Sequence, residues 1–384
     1  MATTVISGVQ YSGIWTMQQV NSAIAASTWP TQPVPRLLAW GGNVSGSLGL
    51  GNITNYSSPK NVGSLTAWIK TAGGQYFSLA TKSDGTLWSW GQNDYGQLGL
   101  GNTTNYSSPK QVGALTNWLT LACGRFHVLV VKSDGTLWSW GRNSSGQLGL
   151  GNATYYSSPK QVGSGTTWAS IGAGGEISVA VKTDGTLWSW GQNSTGQLGL
   201  GNTTYYSSPK QIGVLTTWSK PAGNLYNAGA IKTDGTIWSW GAGLTGANGL
   251  GNTTNYSSPK QIGALTSWAS LAMGVRSTGA ITTSGALYAW GLNAAGQLGL
   301  GDTTDRSSPV QIGALTNWSQ IQIFWTSMRS IKTDGTLWMW GSNYLGQLGL
   351  GDTTYRSSPS QVGSLTTWIT IAGGRYNSLG VATV

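Results

Sequence analysis

Residues 118–159 read WLTLACGRFHVLVVKSDGTLWSWGRNSSGQLGLGNATYYSSP. Residues 119–122 are a short apolar run that ends in Cys123-Gly124. A Val-rich run covers 127–132, and Asp134-Gly135 follows it, a strong short-range hairpin signal between two such runs. Residues 136–140 alternate, with Leu137 and Ser139 on one side and Trp138 and Trp140 on the other, and a period of two marks a strand. After a loop rich in Gly, Asn and Ser, residues 160–163 supply a short fourth strand.

The same unit recurs along the chain. Trp-Gly stands at Trp40-Gly41, Trp90-Gly91, Trp140-Gly141, Trp190-Gly191, Trp240-Gly241, Trp290-Gly291 and Trp340-Gly341, 50 residues apart each time. A second series runs Trp68, Trp118, Trp168, Trp218, Trp268, Trp318 and Trp368, so the chain holds seven copies. Four short strands per unit, repeated around a ring, make a propeller blade. An open row of such sheets would leave bare edges at both ends. Residues 37–40, LLAW, are a third strand without its hairpin partner, and residues 378–384, SLGVATV, are a second strand without one. The sequence therefore predicts an all-β, seven-bladed β-propeller of four-stranded antiparallel blades, closed by pairing of the N- and C-terminal strands.

Gly124-x-x-His127, Asp134-Gly135, Trp140-Gly141-x-Asn143 and the GQLGLG of residues 146–151 together resemble the RCC1 repeat, named for the regulator of chromosome condensation. The resemblance covers residues 37–384 and implies a seven-bladed propeller. It leaves function open, since such propellers serve as exchange factors, inhibitors and binding scaffolds. The exchange-factor function of the founding member depends on acidic and His contacts that the resemblance does not place residue by residue on this sequence.

Residues 1–36 lie outside the repeat and read as an N-terminal appendage and linker. Residues 13–26 have the makings of a short helix, ended by Trp29-Pro30. No basic n-region or long apolar h-region marks a signal peptide. The pattern GIWTM…STWP, within residues 13–30, is similar to short segments in tail and other structural proteins of marine bacteriophages.

Composition removes several classes of function. Charged residues are 8% of the chain against roughly 25% in an ordinary soluble domain, yet 22 Trp and 59 Gly argue against both disorder and a helical protein. No apolar stretch approaches the roughly 18 residues of a membrane helix. The single Cys123 excludes a disulfide scaffold and a Cys-rich zinc site, and one His with one Glu leaves almost no acid–base material. The net charge of +10 is spread as single lysines, Lys60 to Lys260 and Lys82 to Lys332, and makes no basic block, so nucleic acid is not the expected partner.

The remaining motifs read as scaffold. Ser-x-x-Lys, as in Ser107-Ser108-Pro109-Lys110, occurs five times and lacks the companion motifs of a penicillin-recognising enzyme; it reads as a Pro-stiffened turn into the fourth strand. GQLGLGN has no following Gly-Lys-Ser/Thr and is no phosphate loop. Asp302 and Asp352, one per blade, are too few for calcium. His127 is alone in a column of Phe77, Ile177, Asn227, Ser277, Ser327 and Asn377, and Cys123 reads as packing. No cofactor or metal is expected, and no enzyme.

Two groups of columns break the repeat. One follows the first strand and supplies Tyr76, Arg125, Phe126, Tyr226, Arg276, Trp325, Arg375 and Tyr376; the other follows the third strand and supplies Tyr95, Arg142 and Tyr344. First and third strands run in the same direction, so both groups emerge on one rim and the invariant Asp-Gly turns on the other. Variation on exposed loops of one face, rich in Tyr, Trp and Arg, has the character of a recognition surface. The expectation is a non-enzymatic binding protein. Its best specific form is a bacteriophage virion component, in a tail or surface appendage. Residues 1–36 would meet other virion proteins, and the variable face a protein or cell-surface ligand. The alternative is an intracellular, cytoplasmic regulatory or inhibitory propeller that grips a protein partner.

Overall fold

The computed structural model describes residues 34–384, together with the backbone of Thr4–Ile6 and Val9–Tyr11 and the single position Gln18. Thr4–Ile6 and Val9–Tyr11 pair as a small antiparallel ribbon, which the sequence reading does not anticipate. Apart from Gln18, the helix expected over residues 13–26 lies outside the described residues.

Seven four-stranded antiparallel sheets follow one another around a central channel. In the blade quoted above the strands are Trp118–Cys123, His127–Lys132, Leu137–Gly141 and Tyr156–Gln161, in that spatial order from the channel outward. The outer strand begins four residues earlier than expected and ends two earlier. Ser157-Ser158-Pro159-Lys160 is therefore strand and not turn. Proline is tolerated there because the outer strand is an edge, where its missing N–H costs no ladder bond. The alternation in the third strand is also muted: Leu137, Ser139 and Trp140 are all buried and Trp138 partly so, because each blade is covered by a neighbour on both faces.

There is no single core. Seven hydrophobic clusters each straddle one seam between adjacent blades; Phe77 and Leu79 of one blade, for example, pack with Val128, Val130 and Trp140 of the next. Each seam is pinned by an indole. Trp140 Nε1 donates to Gln97 O at 3.0 Å, Trp190 Nε1 to Gln147 O at 2.9 Å, and the series continues to Trp340 Nε1 and Gln297 O at 3.0 Å. Gly149 lies against Trp190, where a Cβ would come within 2.7 Å of Nε1, and its φ of +74° suits glycine. The loop that carries these carbonyls is held by Asn143, whose Oδ1 accepts from Leu148 N at 2.9 Å and whose Nδ2 donates to Thr154 O at 3.0 Å.

The opposite rim is built from the Asp-Gly turns. Asp134 Oδ1 accepts from Thr136 N at 3.0 Å and Thr136 Oγ1 at 2.6 Å, and Thr136 Oγ1 accepts from Trp138 Nε1 at 2.9 Å. These bonds hold the Asp134 carboxyl below its ordinary pKa. Lys132, only 5% exposed, lies 3.8 Å from the Trp138 ring centroid, and Lys182, Lys232 and Lys332 repeat the contact. These lysines are thus cation–π elements of the blades and not a scatter of surface charge. Lys82 pairs instead with Asp84 at 3.4 Å.

Closure follows the expected pairing. Pro35–Gly41 runs antiparallel to Asn377–Thr383 with Leu38 opposite Gly380 and Trp40 opposite Ser378, and the N-terminal strand starts two residues before Leu37. Trp40 Nε1 donates to Gln347 O at 3.1 Å, so the seventh seam is made like the others by residues 307 apart in sequence. Deletion of residues 379–384 removes the strand that joins Trp368–Gly373 to Pro35–Gly41 and exposes two sheet edges. The truncated chain is expected to lose cooperative melting or to aggregate; calorimetry showing a full-length-like transition would contradict ring closure as the source of stability.

His127 is fully buried in a seam, with Nε2 at 3.1 Å from Ser178 Oγ and Nδ1 without a partner among the described residues. Burial pushes its pKa down to about 3 from 6.5. The unfolded chain therefore takes up a proton as pH falls through 6.5, whereas the folded protein does so only near 3. The stability contributed by neutral His127 is complete above the upper value and is lost toward the lower. The lowered Asp carboxyls act with the same sign only below about pH 4. His127→Asn, the residue of the same column at Asn227 and Asn377, should remove up to about 2 kcal/mol of pH-dependent stability between about pH 6.5 and 4.5. Denaturant melts across that window measure it; an unchanged slope would place the acid sensitivity elsewhere.

Candidate recognition face

The turn after the inner strand and the loop after the third strand do share a rim, and one backbone bond per blade ties them together. Gln92 N donates to Tyr76 O at 2.9 Å, Arg142 N to Phe126 O at 2.9 Å, Leu292 N to Arg276 O at 2.7 Å and Gly42 N to Tyr376 O at 2.7 Å. Around the channel mouth, bonds also run from blade to blade: Arg375 N to Gln75 O at 3.4 Å, Gln75 N to Arg125 O at 3.0 Å and Arg125 N to Gly175 O at 3.0 Å. The two groups of columns that break the repeat therefore form one connected surface.

Its side chains gather into three stacks. In the first, the Arg375 guanidinium lies 3.6 Å from the Trp325 ring centroid and 4.7 Å from that of Tyr376, and Tyr376 meets Tyr344 at 5.4 Å and Tyr76 at 5.7 Å. In the second, Arg125 lies 5.0 Å from the Phe126 ring, Tyr95 meets Phe126 at 5.1 Å, and Arg142 lies 5.4 Å from Tyr95. Arg142 Nη1 also pairs with Glu176 Oε1 at 2.9 Å, Ser145 Oγ donates to Glu176 Oε2 at 2.6 Å, and Arg125 Nε donates to Gln75 Oε1. The third is Arg276 over Tyr226 at 5.5 Å. Gln75 and Tyr76 are consecutive, so they join the first two stacks.

Trp325 has φ +56° and Arg276 φ +62°, a left-handed conformation that is uncommon for residues other than glycine and that clusters at functional positions. Most of these side chains are half-buried against one another, because adjacent blades converge at the mouth; Tyr344, at 45% exposure, is the freest. Phe126 is 8% exposed and is the floor of its stack rather than a surface anchor. Desolvation pushes the Tyr344 phenol above its ordinary pKa, against the opposing pull of Arg375.

Sequence reasoning missed several participants. Glu176 stands in a variable column but was not selected, although it neutralises Arg142. Tyr155 meets Tyr95 edge-on at 5.7 Å from an outer loop whose column reads Asn55, Asn105, Tyr155, Tyr205, Asn255, Asp305 and Tyr355, so variation there was the available signal. Buried Gln75 lies in the same variable pair as Tyr76.

The chemistry available on this rim is that of cation–π and aromatic stacking. Planar guanidinium and aromatic faces are in place, whereas His127 is sealed in a seam and burial pushes the Cys123 thiol up, away from its reactive thiolate form. Among the described residues no three His, Cys, Asp or Glu side chains converge, and no helix is long and apolar enough to cross a membrane.

Comparison with known proteins bears on the same features. Residues 36–81, 84–131, 134–181, 184–220, 234–281, 284–323 and 334–381 match the regulator of chromosome condensation (RCC1) repeat, and a second RCC1-repeat description matches 68–97, 119–147 and 168–197. No curated protein sequence matches the chain. Among solved structures, human WBSCR16 is similar over 91% of this chain and 99% of its own, with 22% identity and a TM-score of 0.82. Yeast RCC1 (Prp20), in its complex with Kap60, is similar over 91% of this chain and 89% of its own, with 19% identity and a TM-score of 0.83. Prp20p from Saccharomyces cerevisiae, in a structure described together with its binding to Gsp1p and histones, gives 19% identity, a TM-score of 0.81 and 92% coverage of both chains. With all seven repeats matched and the ring closed as such a propeller, the chain belongs to the RCC1-repeat family.

Proposed function

We propose that this protein is a non-enzymatic binding propeller that grips a protein partner with the rim carrying Trp325, Arg375, Arg125 and Tyr344, in a regulatory or inhibitory capacity. The observation that carries this reading is the meeting of two repeat-breaking column groups in continuous Arg–aromatic stacks at one mouth of an otherwise repeated ring. Tyr, Trp and Arg are the residue types that dominate interface energetics. The rim bears Arg125, Arg142, Arg276 and Arg375 against Asp94 and Glu176, and Arg142 is the one of these arginines with an ion pair among the described residues. An acidic protein surface complements it. That structures of Prp20 concern its binding to Kap60, Gsp1p and histones supports a protein as the class of partner.

A second, narrower setting is a virion. It is supported by the similarity of residues 13–30 to phage structural proteins, and it assigns residues 1–36 to attachment on other virion proteins. Co-purification with particles of the full chain, but not of residues 35–384, supports it; a free pool of both excludes it.

The binding rim is tested by affinity capture with the full chain, followed by dissociation constants and melting temperatures for each variant. Trp325→Ala or Arg125→Ala should weaken partner binding by roughly 2 kcal/mol or more. Because Arg375 stacks on Trp325, the Trp325 variant should also lose about 1 kcal/mol of stability. Val214→Ser, 87% exposed near the start of the next inner strand on the opposite rim, serves as the control. Binding lost through Val214, with Trp325 and Arg125 silent, would reverse the assignment of faces.

A further inference from the structure

Arg329 is the one charged residue in its column; the equivalent positions are Leu79, Leu129, Val179, Gly229, Gly279 and Leu379. It lies in residues 324–333, the stretch where the match to the RCC1 repeat lapses between 323 and 334. It sits on the second strand of its blade, opposite Gln322 of the inner strand, and is 1% exposed. Its side chain reaches across the seam into the wall of the central channel, into space left by Gly373, where a Cβ would strike Nη1. Nη1 donates to Ala372 O at 2.5 Å and lies 3.5 Å from Asn377 O, while Nη2 lies 3.4 Å from Ser327 Oγ. Nε has no partner.

All the hydrogen-bond partners of this guanidinium are neutral, and the chain has no carboxylate to spare for it. Its ten acidic residues are Asp84, Asp94, Asp134, Glu176, Asp184, Asp234, Asp302, Asp305, Asp334 and Asp352, and residues 1–33 contain none. Five lie in the Asp-Gly turns of the far rim, three in outer loops and two on the recognition rim. No ion pair of the described residues includes Arg329. A buried charge is ordinarily paired, and an arginine cannot escape its charge by ready deprotonation. Burial does draw its pKa down, to about 10, which still leaves it cationic at neutral pH.

The channel that Arg329 lines has a volume of about 250 Å³ and a wall otherwise rich in Gly and Ala, with Arg125 and Trp325 at the mouth. We propose that the central channel is a binding site for a small oxyanion, of the carboxylate or phosphate class, whose charge is met by the Arg329 guanidinium through the N–H groups left free by Ala372, Asn377 and Ser327. The planar fork of donors suits either class. The mouth arginines raise the local anion concentration on the way in. This site shares Arg125 and Trp325 at its mouth with the rim proposed for a protein partner, but its test requires no partner.

The experiment is thermal melting of the full chain in inorganic phosphate or acetate, against sodium chloride of equal ionic strength. Wild type should gain about 2 °C or more in one of the two oxyanions, and the one that acts identifies phosphate or carboxylate as the ligand chemistry. Arg329→Gln, which retains a donor for Ala372 O, and Arg329→Leu, which copies the column, should both lose that gain. Phosphate also raises melting temperatures by general exclusion from protein surfaces, so the difference between wild type and variant is the reading. A wild type that responds to neither anion, or variants that respond as it does, would overturn the proposal. So would a gain that survives Arg329→Gln and disappears in Arg125→Ala, which would place the anion on the rim.

Discussion

Seven indole N–H groups, each donated across a seam to a backbone carbonyl of the preceding unit, are the constraint on which the rest of this molecule depends. A blade cannot bury both of its faces alone, so stability resides in the seams, and each seam has the same centre: a fully buried Trp, a glycine that admits it and a carbonyl that receives its N–H. Loss of one such Trp removes a large buried surface and a hydrogen bond to that carbonyl, on the order of 3–5 kcal/mol for truncation to Ala. The seventh bond, from Trp40 to Gln347, is made only when the chain ends meet. Closure and formation of the seventh seam are therefore the same event.

Repetition of one seam frees the remainder of each unit. The inner turn and the loop after the third strand are anchored by backbone bonds that require no particular side chain, as in Arg142 N to Phe126 O and Leu292 N to Arg276 O. Side chains there can change from blade to blade without disturbing the ring. They have not remained independent, because neighbouring turns converge on the mouth and the arginines of one blade lie over aromatic rings of its own blade or the preceding one. Cations recur against rings elsewhere as well: Lys132, Lys232 and Lys332 lie over Trp, and Lys60 and Lys110 over Tyr at 5.7 and 5.4 Å. In a chain with twice as many cationic as acidic residues, aromatic faces take the place that carboxylates would otherwise fill.

Fold, blade number and ring closure were legible in the sequence because a strict 50-residue period leaves few alternatives, and two unmatched half-hairpins at the chain ends have only each other to pair with. Strand alternation placed both variable column groups on one rim for the same reason: direction alternates with each antiparallel strand. The outer strand was misplaced because Ser-Ser-Pro reads locally as a turn, and only its position at the edge of the sheet makes proline acceptable there. The lysines near the Asp-Gly turns read as surface charge because sequence does not reveal that Trp118 and Trp138 enclose Lys132.

What the sequence determined by itself was periodic: the blade, its count, its closure and the columns that depart from the pattern. What tertiary structure decided was which departures touch. Tyr155 and Tyr95, Arg142 and Glu176, and Arg329 and Gly373 are brought together only when neighbouring units pack, across sequence separations that no local rule reads. Whether a side chain in a variable column stands exposed, as Tyr344 does, or forms the floor of a stack, as Phe126 does, depends on what the neighbouring blade lays over it. Burial is a property of the seam, and a seam exists only between units.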